Sequence, residues 1–152
     1  MSERASVVIL MADDDPDDRE LTRDALAESR LANELRFVQD GVELMDYLHH
    51  RGAYGRGASA PRPGVILLDL NMPRKDGREA LREIKADPEL RAIPVVVLTT
   101  SRAEEDIARS YELGANSFIS KPVTFDGLVS VVRGLGQYWF DIVALPRGAP
   151  GG

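Results

Sequence analysis

The chain has 152 residues, of which 43% are hydrophobic and 29% charged, a balance that indicates one soluble globular domain with a real core. The formal net charge of −6 argues against a nucleic-acid-binding surface, because phosphate contacts require clustered Lys and Arg. The absence of cysteine excludes disulfides, thiolate nucleophiles and Cys-based metal sites. No apolar run approaches the roughly 20 residues of a membrane-spanning helix, so we expect a cytoplasmic protein that does not bind membranes.

A first buried strand is predicted over 6–12, and a run of acids follows it. Part of this run suits the start of a helix over 17–31. Asp15 can cap the helix and Pro16 suits its first position, while Asp17 and Asp18 complement the helix dipole. Asp13 and Asp14 precede that helix and have no such explanation. Because adjacent carboxylates repel one another, they indicate a bound cation, and oxygen-only ligands favour magnesium.

The run from Val65 to Leu68 predicts a strand buried on both faces, and it stops at Asp69. Pro73 has no N–H to donate to a sheet, and the Asp-Gly pair that follows favours a turn, so the strand cannot continue. We therefore expect Asp69 at the carboxyl end of a central parallel strand, the edge at which open α/β sheets bind ligands. Taken alone, Asp69 is equally well explained as an ordinary loop acid.

Two further strand ends carry polar side chains. A strand over 93–99 ends at Thr99, whose hydroxyl is free to donate a hydrogen bond toward Asp69, and a short strand over 116–120 leads to Lys121. A lysine at a strand tip is usually solvated, but beside several carboxylates it can bind a phosphoryl oxygen and offset charge. The bond between Lys121 and Pro122 is a candidate for a cis peptide. The convergence of these strand ends on one sheet edge is stronger evidence for a site than any single residue.

The remaining segments complete an alternation of strands and helices. A second strand is predicted over 34–38, and helices over 40–48, 78–86, 101–114 and 128–139. The alternation predicts an α/β fold of the doubly wound class, with a parallel sheet and right-handed crossovers. We expect one domain over 1–152, with a core over about 7–135, a C-terminal extension over 136–145 and a disordered tail over 146–152.

This pattern resembles the receiver domain of bacterial two-component response regulators. The resemblance covers about 7–135 and is carried by residues in the order of the family's motif: Asp13 and Asp14, Asp69 within Leu-Asp-Leu-Asn-Met-Pro, Thr99, and Lys121 before a proline. It implies a flavodoxin-like (βα)5 fold with a five-stranded parallel sheet in the order 2-1-3-4-5, a strand order that comes from the family and not from the sequence pattern.

The resemblance also implies a chemistry for these residues. Asp69 would take a phosphoryl group from the phosphohistidine of a sensor kinase. Mg²⁺ would be held by Asp14, Asp69 and the main-chain carbonyl of Asn71, with Asp13 acting through water. Lys121 would contact one phosphoryl oxygen. The protein would then be no enzyme in the usual sense, since it catalyses only its own phosphorylation and dephosphorylation.

A conformational switch is the expected output of this chemistry. Thr99 would contact another phosphoryl oxygen, and its movement would let Phe118 turn inward and change the surface of the fourth helix, fifth strand and fifth helix. Phe118 stands where the family often has tyrosine, so its ring brings no hydroxyl. Too few residues follow Leu135 for a DNA-binding module, so we expect output by protein contact or by onward phosphate relay.

Two softer features resemble the single-domain regulators that partner cyanobacterial and bacterial phytochromes. One is the aromatic extension Tyr138, Trp139 and Phe140, which either folds back over the core or serves as a self-association surface of a homodimer. The other is the Gly- and Pro-rich loop over 49–64, in which we expect one short extra turn of helix. This loop is either a solvated connection or a docking surface that uses its basic and aromatic residues: Arg51, Tyr54, Arg56 and Arg62.

Other classes fit the sequence less well. An aspartate-nucleophile phosphatase would resemble this site but carries a second aspartate two residues after the nucleophile, where this chain has Asn71. A receiver-like binding module that is never phosphorylated has usually lost at least one motif residue, and this chain has them all. A flavin-binding flavodoxin-like protein needs a hydroxyl-rich phosphate loop after the first strand, where this chain is acidic.

Overall fold

Five parallel strands form the centre of the protein, in a computed structural model that describes residues 8–28, 33–55, 59–99, 111–115, 117–122 and 124–135. The strands are β1 (Ile9–Ala12), β2 (Leu35–Val38), β3 (Val65–Leu68), β4 (Val95–Thr99) and β5 (Ser117–Ser120). The helices between them are α1 (Pro16–Glu28), α2 (Gly41–His49) and α3 (Gly77–Ala86), with a 3-10 turn at Gly52–Tyr54. Helix 125–135 (Phe125–Leu135) follows β5.

The order of the strands in the sheet is β2-β1-β3-β4-β5, and every neighbouring pair is parallel. This is the order that the resemblance implied, so the fold prediction is confirmed. β1 and β3 lie at the centre, in a register that pairs Ala12 with Leu68. The residues that follow these two strands therefore leave the sheet side by side.

Successive side chains of each strand point to opposite faces of the sheet, and both faces are covered. One face, including Leu10, Ile66 and Val97, packs against α2 and α3. The other face, including Met11 and Leu67, packs against α1 and helix 125–135. Burial on both faces explains why the inner strands β1, β3 and β4 are continuous apolar runs in the sequence, whereas the edge strands β2 and β5 contain polar residues.

The predicted boundaries hold within a few residues, with instructive differences. The predicted helix over 101–114 lies mostly outside the described residues, but its end at Gly114 is confirmed by a left-handed φ of 106° and a 3.0 Å hydrogen bond from its N–H to the Tyr111 carbonyl. The described residues contain no cis peptide, so the candidate bond before Pro122 is trans. None of the described helices is both long and apolar enough to cross a membrane.

Candidate functional site

The site lies at the carboxyl edge of the sheet, where the central strands end. The N–H of Asp13 donates to the Val38 carbonyl at 3.0 Å, and the N–H of Asp69 donates to the Ala12 carbonyl at 3.0 Å. These bonds extend the sheet ladder by one residue, so both carboxylates are fixed on rigid backbone. Asp13 and Asp69 are buried, with 0% and 7% of their surface exposed. Buried acids of this kind need a cation or several donors.

Lys121 supplies the cation. It follows β5, and its side chain is 12% exposed. Its Nζ lies 2.7 Å from Asp13 Oδ2, 2.7 Å from Asp18 Oδ2 and 3.1 Å from Asp69 Oδ2. An ammonium has three N–H donors, and all of them are occupied by the carboxylates of Asp13 after β1, Asp18 in α1 and Asp69 after β3. The predicted proximity of Lys121 to the acids is therefore observed.

Burial and pairing act in opposite directions on these groups. Burial raises the pKa of the Asp13 carboxyl to about 6, although hydrogen bonds from Lys121 and from the Asp15 N–H oppose the rise. Burial alone would lower the pKa of Lys121, but the hydrogen bonds to Asp13 and Asp18 and the charge of Asp69 outweigh it and raise that pKa above its usual range. Near neutral pH Lys121 is therefore an ammonium, and most of Asp13 is ionised.

The acidic residues also form a group that can hold a metal ion. Asp13, Asp14 and Asp69 offer one oxygen each within 4.8 Å of one another, and Asp14 is the exposed member. Asn71 follows in the adjoining loop, and its N–H donates to Asp69 Oδ1 at 3.0 Å, which orients that carboxylate. An all-oxygen set of carboxylates suits a hard divalent cation such as Mg²⁺ or Mn²⁺. The residues present thus fit the predicted metal.

The two predicted switch residues are described to different extents. Thr99 is the last residue of β4, on the strand next to β3, but the position of its side chain lies outside what the structure describes. Phe118 lies in β5, is half-buried, and packs against the core on the side of α2 and α3 together with Leu113. Its N–H donates to the Tyr111 hydroxyl at 3.2 Å. Phe118 therefore already contacts the core in this structure.

A clamp holds the loop that carries Asn71. Arg74 has a left-handed φ of 67°, and its guanidinium donates to both carboxylate oxygens of Asp40, at 2.9 and 3.0 Å. Burial would raise the pKa of Asp40, but these bonds lower it below its usual value. Asp40 also caps α2, because its Oδ1 accepts from the Glu43 N–H at 2.8 Å. The loop after β3 is thus joined to the start of α2.

Sequence reasoning missed two of these connections. Asp18 was assigned only to the helix dipole, yet it contacts Lys121 as closely as Asp13 does. Its local role at the helix start concealed this contact, and no local pattern indicated a lysine 103 residues away. Arg74 gave no signal, because nothing in its local sequence indicates a partner 34 positions away.

The described part of the loop after α2 makes contacts with other segments of the chain. The Tyr54 ring packs on Tyr47 with centroids 5.1 Å apart, and its hydroxyl donates to the Glu43 carboxylate. Arg51 lies 3.3 Å from Asp46, and Arg62 donates to the Glu89 carbonyl at 2.8 Å. These contacts order the loop but leave Arg51 and Arg62 exposed, so the docking hypothesis for Arg51, Tyr54 and Arg62 stays a prediction; Arg56 lies outside the described residues.

Comparison with known proteins agrees with this arrangement. Residues 9–133 match the family model of the response regulator receiver domain. Response regulator Rcp1 of Synechocystis sp. is 44% identical over 139 residues, which are 91% of this chain and 92% of that protein. The crystal structure of the phosphorylated cyanobacterial phytochrome response regulator RcpA is similar with a TM-score of 0.81 and 45% identity, covering 89% of this chain and 94% of that one. The Mn²⁺-bound form of Rcp1 has a TM-score of 0.80 and 43% identity, with 89% and 95% covered.

Proposed function

This chain belongs to the response regulator receiver family, and we propose that Asp69 accepts a phosphoryl group from a histidine kinase. The observation that carries the proposal is the position of Asp69 at the end of β3, with Asp13, Asp14 and Lys121 around it. The structure of a phosphorylated relative, RcpA, with the same fold supports it. An ordinary loop acid would not share its site with a buried ammonium and two further carboxylates.

The transfer itself is a simple displacement at phosphorus. A carboxylate oxygen of Asp69 attacks the phosphorus, the P–N bond to the kinase histidine breaks, and its electron pair stays on the imidazole. The N–H of Asn71 orients the Asp69 carboxylate by its bond to Oδ1. Lys121 moves its third hydrogen bond from Asp69 to a phosphoryl oxygen and offsets the new charge. The departing imidazole takes a proton from the solvent, and positioning and electrostatics at Asp69 supply most of the catalysis.

A divalent cation would complete this site. Asp14 and Asp69, with the Asn71 carbonyl, would hold Mg²⁺, and Asp13 would act on it through water. Bound there, the cation neutralises the phosphoryl oxygens that face the carboxylates. The Mn²⁺-bound structure of Rcp1 and the acidic group of this chain support the proposal.

The response to phosphorylation is proposed to pass through Thr99 and Phe118. Thr99 would bind a phosphoryl oxygen, and the ring of Phe118 would move deeper beside β4 and change the face formed by β5 and its flanking helices. The output would be a protein contact or onward transfer of the phosphate. In this role the protein turns over no substrate other than its own phosphoryl group, and its place is the cytoplasm, where the kinase domain lies.

Intact mass after incubation with acetyl phosphate tests the central claim. We expect a phosphate-sized gain that requires both Mg²⁺ and Asp69, so that Asp69→Asn, which keeps the size of the side chain, shows none. A folded protein that gains no phosphate would instead be a receiver-like binding module. Sustained hydrolysis of a small phosphoester, abolished in the same variant, would indicate an aspartate-nucleophile phosphatase.

The kinase partner is proposed to be of the phytochrome type, because the relatives RcpA and Rcp1 cover nearly all of this chain and RcpA is a phytochrome response regulator. Transfer from a phosphorylated phytochrome kinase should be much faster than transfer from histidine kinases of unrelated sensors at equal concentration. Equally fast transfer from all of them, or none from any phytochrome kinase, would contradict this assignment.

A homodimer is proposed to form through β5, its flanking helices and the extension around Tyr138, Trp139 and Phe140. That extension lies outside the described residues, so its sequence alone supports the proposal. Sedimentation of the full chain and of Trp139→Ala, each with and without phosphate on Asp69, tests it. A native chain that sediments as a monomer in both states would refute the dimer.

A further inference from the structure

One of the three carboxylates that contact the Lys121 ammonium, that of Asp18, does not belong to the family motif described above. The Asp18 carboxylate reaches the ammonium from the first turn of α1 at 2.7 Å, the same distance as Asp13. We infer that Asp18 is a positioning residue for phosphoryl transfer at Asp69, acting through Lys121. The inference rests on the function proposed above and names a further residue on which its rate depends.

The argument starts from the flexibility of lysine. Its four-carbon stem has many rotamers, so an ammonium held by one partner occupies many positions. Asp13, which follows β1, and Asp18, in the first turn of α1, fix two of the three donors of Lys121. The third donor, 3.1 Å from Asp69, is the one that passes to a phosphoryl oxygen. Without Asp18 only the bond to Asp13 would hold the ammonium while that exchange takes place.

The same ammonium is needed in the two reactions of the site. In phosphorylation by phosphoramidate, an Asp69 oxygen attacks phosphorus and the P–N bond breaks, with its electron pair leaving on ammonia, which takes a proton from the solvent. In hydrolysis, a water oxygen attacks phosphorus, the P–O bond to Asp69 breaks, and its electron pair returns to the carboxylate while the water proton stays with inorganic phosphate. A displaced Lys121 therefore slows both reactions.

Loss of a negative charge alone predicts a different result. A less acidic site attracts an anionic phosphoryl donor more strongly, so phosphorylation would become faster. Attack by neutral water would hardly change. The two explanations are therefore separated by the first-order rate constant of dephosphorylation, which does not depend on donor binding.

Asp17 provides a matched control in the same helical turn. It has the same charge and the same relation to the helix dipole as Asp18, but it is exposed, whereas Asp18 is half-buried. Adjacent residues on a helix point about 100° apart, so Asp17 is directed away from the face that Asp18 presents to Lys121.

The experiment measures both rate constants in Mg²⁺ for the native chain, Asp18→Ala, Asp18→Asn and Asp17→Ala, with phosphoramidate as donor. We expect Asp18→Ala to slow both reactions about tenfold and Asp17→Ala to change neither by more than about twofold. Asp18→Asn keeps an acceptor oxygen for Lys121 and should recover part of the rate. It also carries the test if circular dichroism shows that the alanine variant is unfolded.

Three results would overturn the inference. One is an unchanged dephosphorylation rate in both Asp18 variants, another is equal slowing by Asp17→Ala. The third is a native chain that takes no phosphate at all, which removes the proposed function as well and is recognised because it does not depend on any change at Asp18.

Discussion

Gly77 lies so close to Asp69 that a Cβ at position 77 would come within 3.0 Å of the Asp69 carbonyl oxygen, a distance that real Cβ atoms do not adopt. The Gly77 N–H also donates to the Leu70 carbonyl at 3.0 Å. The first turn of α3 is therefore packed directly on the backbone that carries the acceptor carboxylate. A side chain at position 77 would displace one of these two segments.

Gly77→Ala should consequently destabilise the protein and impair phosphorylation of Asp69. We expect a loss of about 1–3 kcal/mol in the free energy of unfolding, the usual cost of overpacking, measured by urea denaturation. Gly134→Ala is the control, because no atom of the described residues outside its own helical turn lies within 4 Å of its added Cβ. It should raise the free energy of unfolding by up to about 1 kcal/mol through helix propensity and leave phosphorylation unchanged. Equal effects of the two substitutions would contradict the packing argument.

Asp40 is expected to stabilise the protein through its cap on α2 as well as through its ion pair with Arg74. Asp40→Asn keeps an oxygen for the Glu43 N–H but loses the charge that Arg74 contacts, whereas Asp40→Ala loses both. We expect the alanine variant to be less stable than the asparagine variant by about 1 kcal/mol, the usual value of a cap. Thermal and urea unfolding at low and high salt measure this difference. The difference should be the same at low and high salt, because neither variant carries a charge at position 40, and equal stability of the two variants would contradict the cap contribution.

The sequence was sufficient for the sheet and for the main members of the site. Parallel strands buried on both faces are continuous apolar runs. Two of these runs in this chain stop at a carboxylate of the candidate site, Asp13 after β1 and Asp69 after β3. The topology brings such strand ends together whatever the details of packing. The strand order itself came from the family resemblance, because loop lengths and hydrophobic patterns do not determine it.

Long-range side-chain contacts could not be predicted in the same way. Asp18 has a local explanation at the helix start, and that explanation concealed its contact with Lys121, 103 residues away. Tyr54 and Arg62 occur in a loop rich in glycine, and their partners Glu43 and Glu89 come from other segments, which no local pattern indicates. Local sequence patterns predict which segments form strands and helices. They do not predict which of several polar residues a flexible side chain contacts.

The raised pKa of Asp13 predicts a specific pH dependence of stability in metal-free protein. Because the folded protein binds a proton on Asp13 up to pH about 6, whereas the unfolded chain releases it near pH 3.8, this group costs stability as pH rises between these values. At about 1.4 kcal/mol for each pH unit in this window, the cost approaches about 3 kcal/mol above it. The free energy of unfolding of Asp13→Asn, relative to that of the native chain, should therefore increase from pH 4 to pH 6. A constant difference would show that the carboxyl has an ordinary pKa.

Lys121→Met should make the stability of the protein strongly dependent on magnesium. The substitution keeps much of the side-chain volume but leaves the carboxylates of Asp13 and Asp69, which are nearly inaccessible to solvent, without their ammonium. Breaking a buried pair on one side costs about 3–5 kcal/mol, although protonation of Asp13 relieves part of that cost. A divalent cation would replace the missing charge, so added Mg²⁺ should raise the melting temperature of Lys121→Met more than that of the native chain.

A second substitution separates this explanation from a general packing defect. In Lys121→Met combined with Asp13→Asn, one of the repelling charges is gone, so the double variant should be more stable than the sum of the single effects predicts, by about 1–3 kcal/mol. Calorimetry of the four proteins with EDTA and with saturating Mg²⁺ gives this coupling in both states. Additive effects with EDTA, or a Mg²⁺ response of Lys121→Met no larger than that of the native chain, would mean that Lys121 does not neutralise the acids of this site.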